Sequence, residues 1–100
     1  ALDEQTRTRL HDQLETIWSE TQKTILFVTH SISESIKLSD RIIVMGTKPG
    51  VILKDIKVEI PRPRHEHKKE MVELEEYIMG FLKKEIDKVI REELAHESKH

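Results

Sequence analysis

One hundred residues allow one small domain, and with 36% apolar and 36% charged residues its core is lean. Lys and Arg total 17 against 19 Asp and Glu, a net charge of −2, so no basic excess points to nucleic acid or to an anionic membrane surface. The lack of cysteine excludes a disulfide framework and a thiolate zinc site, and no apolar run approaches the length that crosses a bilayer.

Asp3 is placed to cap a first helix, on which Leu10, Leu14, Ile17 and Trp18 fall on one face. That face is expected to be core, with Trp18 an anchor and Arg7, Arg9, Asp12, Glu15 and Glu20 solvated. Thr21-Gln22-Lys23 turns the chain into Ile25–Val28, an apolar, partly β-branched run expected to be a strand buried on both faces. The run stops at Thr29 and His30. Ser31-x-x-Glu34 then reads as a capping box, so a second helix begins there and ends near Asp40. Arg41 to Met45 is a second β-rich run, making a strand-helix-strand unit with a right-handed crossover. His30 would then stand at the carboxyl end of the first strand, where open α/β sheets bind their ligands.

Gly46-Thr-Lys-Pro-Gly50 supplies a turn, Pro49 fixing φ and Gly50 allowing positive φ. A hairpin strand follows, in which Ile52, Lys54, Ile56, Val58 and Ile60 alternate with a wetter set, as suits an edge strand. Residues 61–67, Pro-Arg-Pro-Arg-His-Glu-His, read as a linker, with Arg62 and Arg64 as solvated charge. From about Glu66 to Glu93 the pattern is that of one long amphipathic helix, carrying Met71, Leu74, Ile78, Phe81, Leu82, Ile86, Val89, Ile90 and Leu94. Gly80 marks a place for a kink or a split, and the tail His96–His100 is expected to fray. His65 and His67, with His11, His96 and His100 elsewhere, do not form a preorganised ligand set, so no metal is expected.

Thr-Ile-Leu-Phe-Val-Thr-His30, a helix, and then Ser39-Asp-Arg-Ile-Ile-Val-Met45 resemble the switch-histidine region of ATP-binding cassette (ABC) transporter ATPases. Ala1-Leu-Asp3 resembles the end of their D-loop, at a suitable distance from His30. Thr47-Lys-Pro-Gly50 and Ile60-Pro-Arg-Pro-Arg64 are similar to the branch serving nitrate, sulfonate and taurine importers. The resemblance covers about Ala1 to Arg64. It departs from the family in one respect: the Walker A loop, glutamine loop, signature motif and Walker B strand, which precede the D-loop, are not among these residues.

The resemblance implies an α/β fold: a partial P-loop NTPase-like sheet (helix, strand-helix-strand, edge strand) followed by a long carboxyl-terminal amphipathic helix. Residues 1–60 would be the carboxyl-terminal part of an ATPase domain, 61–67 a linker and 68–100 a helical extension. His30 would contact the γ-phosphate or the attacking water as the catalytic residue, and Asp3 would sit at the dimer interface. The parent would use ATP and Mg2+, pair with a second ATPase subunit and lie on the cytoplasmic face of the membrane through a permease. Without a phosphate loop the chain alone is expected to be inactive and free of cofactor, and to self-associate or be marginally folded. The alternative is a non-enzymatic module in which the long helix docks on a partner or on its own copy.

Overall fold

The computed structural model describes residues 3–46 and 50–97. The chain divides into two units, Ala1–His30 and Ser31–His100.

The first unit is built on α1 (Glu4–Thr21). Asp3 caps it, its Oδ1 accepting from the Thr6 N–H at 2.7 Å, which satisfies one of the donors a helix leaves free at its start. At the other end Gln22 takes a left-handed conformation (φ 56°) and its N–H donates to the Trp18 carbonyl. Leu14 and Trp18 are only half-buried, and Leu10 and Ile17 are exposed, so the face expected to be core is not enclosed; His11 is the buried residue of this helix.

The expected strand at Ile25–Val28 is absent, and with it the strand-helix-strand crossover. Exposure alternates along the run: Ile25 39%, Leu26 90%, Phe27 37%, Val28 87%. Side chains that alternate in this way belong to an extended chain. A strand is completed by ladder bonds to a neighbour, and no described segment pairs with this one.

In the second unit Ser31 caps α2 (Ile32–Leu38), its Oγ accepting from the Glu34 N–H at 3.2 Å, as the capping box predicts. β1 (Arg41–Met45) and β2 (Ile52–Lys57) form an antiparallel hairpin, with Ile42 opposite Ile56, Val44 opposite Lys54, and a bulge between Val44 and Met45. Gly50 closes it at φ 79°, a conformation suited to glycine; Pro49, whose role in the turn is an expectation from sequence, lies outside the described residues. The core comprises Ile36, Ile42, Val44, Val58 and Ile78. Ile78 comes from α3 (Lys68–Glu97), which runs unbroken through Gly80 and reaches Glu97; the last three residues of the expected frayed tail lie outside the described residues. Met71, Leu74, Phe81 and Leu82 pack on the same core. Lys54 lies on this inner face, as its place in the alternation with Ile56 and Val58 predicts. Its ammonium is 5.9 Å from the Tyr77 ring centre and 5.8 Å from that of Phe81, close enough for cation–π attraction. On the outer face Arg41 and Asp55 make a two-bond ion pair.

Candidate functional site

His30 ends the extended run and immediately precedes the cap of α2. It is exposed, and among the described residues no hydrogen bond engages its imidazole. A free ring N–H next to a helix start is chemically suited to donate to an anionic oxygen. Asp3 sits at the amino end of α1, and no hydrogen bond joins it to His30 among the described residues. Its carboxylate is committed to the cap: the Thr6 N–H holds its pKa below the ordinary value of 3.8. Ala1 and Leu2, the other residues of the D-loop resemblance, lie outside the described residues.

Arg62 and Arg64 correct the reading of solvated charge. Residues 64–66 form a 3-10 turn, and Arg64 is 5% exposed. Its guanidinium donates to the carbonyls of Ile36 at 2.6 Å, Ser39 at 2.5 Å and Ile60 at 3.0 Å. Arg62 donates to the Leu38 carbonyl at 2.7 Å and to Asp40 at 3.1 Å. The two arginines thus meet carbonyls that the end of α2 leaves without helical partners, and place positive charge at the negative end of its dipole. In the structure Ile56, Val58, Ile60, Arg62 and Arg64 are all at least half-buried. The two-residue period of β2 therefore continues past the prolines, which made the segment look like a linker.

His65 is exposed, His67 Nδ1 lies 3.9 Å from Glu70 Oε2, and among the described residues no group of three or more His, Cys, Asp or Glu is arranged to hold a metal ion. No helix among the described residues is long and apolar enough to cross a membrane.

No family model matches the chain, and no solved structure matches it. Several curated proteins do. An uncharacterized ABC transporter ATP-binding protein of Methanocaldococcus jannaschii is 41% identical over 91 residues, covering 91% of this chain and 34% of that protein. The aliphatic sulfonates import ATP-binding protein SsuB of Bacillus cereus is 40% identical over 79 residues, 79% of this chain and 32% of that protein. A putative ATP-binding protein of Brucella melitensis is 42% identical over 66 residues, 66% of this chain and 28% of its own length. The chain spans about a third of the length of the first two relatives. Over that span, the chain belongs to the family of ABC transporter ATP-binding proteins.

Proposed function

We propose that these residues are the carboxyl-terminal stretch of an ATPase subunit that drives import of a small anion of the sulfonate, nitrate or taurine class. The observation that carries the reading is the 40% identity, over 79 residues, to a protein named for aliphatic sulfonate import. Residues 1–60 belong to the ATPase domain and 68–100 extend it; 61–67 join the two. The parent pairs with a second ATPase subunit and sits at the cytoplasmic face of a permease.

In this reading His30 donates to the γ-phosphate or orients the attacking water, where a preorganised donor stabilises the charge of the transition state. Its exposure and uncommitted imidazole support the role. Asp3 caps α1 and, as the D-loop aspartate, faces the second subunit. Mg2+, when bound with ATP, neutralises charge on the phosphates. The residues of this chain fit only the margin of such a site: one free donor at His30, with no Walker A sequence to provide the N–H cradle and lysine.

The test is His30→Ala in the complete ATPase. Turnover should fall at least about a hundredfold, a barrier increase of about 2.7 kcal/mol, with nucleotide affinity within a few-fold, since the phosphate cradle dominates binding. Near-normal turnover in a protein with a lowered melting temperature would remove His30 from the mechanism.

A further inference from the structure

α3 carries two apolar faces, and the fold uses one. Met71, Leu74, Ile78, Phe81 and Leu82 pack on the core. Roughly 100° around the helix, at 3.6 residues per turn, runs a second line in which Val72, Met79, Ile86 and Ile90 are 49–56% exposed. Glu76, Lys83 and Glu93 complete this line and are exposed too. From Val72 to Glu93 the positions advance by alternate steps of four and three, the spacing of a coiled-coil seam.

The charges within the seam choose the partner and its direction. We infer that α3 pairs with α3 of a second copy of this chain, antiparallel, about a centre at Lys88. In that register Ile86 faces Ile90 of the second copy and Lys83 faces its Glu93, each pair occurring twice by symmetry. Every seam position from Lys83 to Glu93 then meets a complementary one. The parallel arrangement sets Lys83 against Lys83 and Glu93 against Glu93, and charged seam residues of this kind fix register and orientation. Lys88 itself points away from the seam, roughly 180° round the helix. The matched segment is short, so the dimer is concentration-dependent. The inference stands on α3 alone and does not depend on the nucleotide reading.

The experiment is charge exchange on the 100-residue chain, read by sedimentation equilibrium with circular dichroism to confirm helix content. Both positions are exposed, so neither substitution disturbs the core. Lys83→Glu and Glu93→Lys should each weaken the dimer about tenfold or more, because each sets like charges together twice. The double variant K83E/E93K should restore it to within a few-fold of the original, as should an equimolar mixture of the two single variants. A chain monomeric at every concentration overturns the inference and leaves the seam to a different protein. So does dimerisation unchanged by K83E, which would assign association to another face, or a double variant that stays weak.

Discussion

Arg64→Ala removes a buried guanidinium that donates to three carbonyls, those of Ile36, Ser39 and Ile60. The bond to Ile36 is fully buried, so its carbonyl is left orphaned at about 1–3 kcal/mol, while the two part-buried carbonyls regain some water and lose about 0.5–1.5 kcal/mol each. The sum is about 2–6 kcal/mol, a large share of the ~5–15 kcal/mol that holds a small domain together. Asp40 adds little, because its side chain is 60% exposed and 3.8 Å from Arg64; Asp40→Asn should cost less than about 1 kcal/mol. Arg64→Lys keeps the charge but lacks the planar fork that reaches separate acceptors, and should recover less than half of the loss. Urea unfolding followed by circular dichroism gives the magnitude, and hydrogen exchange at the α2 amides locates it. A loss under about 1 kcal/mol in R64A, with α2 exchange unchanged, would refute the view that this arginine anchors the end of α2.

Three further outcomes rest on local geometry. Asp3 has a lowered pKa because its carboxylate accepts from the Thr6 N–H, so its contribution to α1 is fully present above the ordinary value of 3.8 and is lost as pH falls through the lowered folded value; a Thr6 amide resonance that ignores acidification would contradict this. Gly80→Ala should stabilise the chain by about 1 kcal/mol, since the position is helical and a Cβ there meets nothing within 4 Å. Gly50→Ala, also in open space but at φ 79°, should cost about 1–2 kcal/mol; thermal melts that moved both variants the same way would discredit the distinction.

The caps at Asp3 and Ser31, the positive φ at Gly50 and the long helix α3 were legible in the sequence because each depends on bonds or sterics within a few residues. The hairpin was legible too, since β1 and β2 adjoin in the chain and Gly50 joins them. The candidate site was legible only as residue types in order: His30 after an apolar run and Asp3 before a helix. What tertiary structure decided involves groups distant in sequence. Ile25–Val28 has the composition of a buried strand, but alternation dictates only extension, and ladder bonds require a neighbour. Arg64 looked solvated because it closes the proline-broken run Pro61-Arg-Pro-Arg64; its burial was decided by carbonyls 25 and 28 residues away, at the end of α2. On α3 a single list of apolar residues split into a packed face and an exposed one, because the hairpin and α2 present only enough surface to cover one side of a helix.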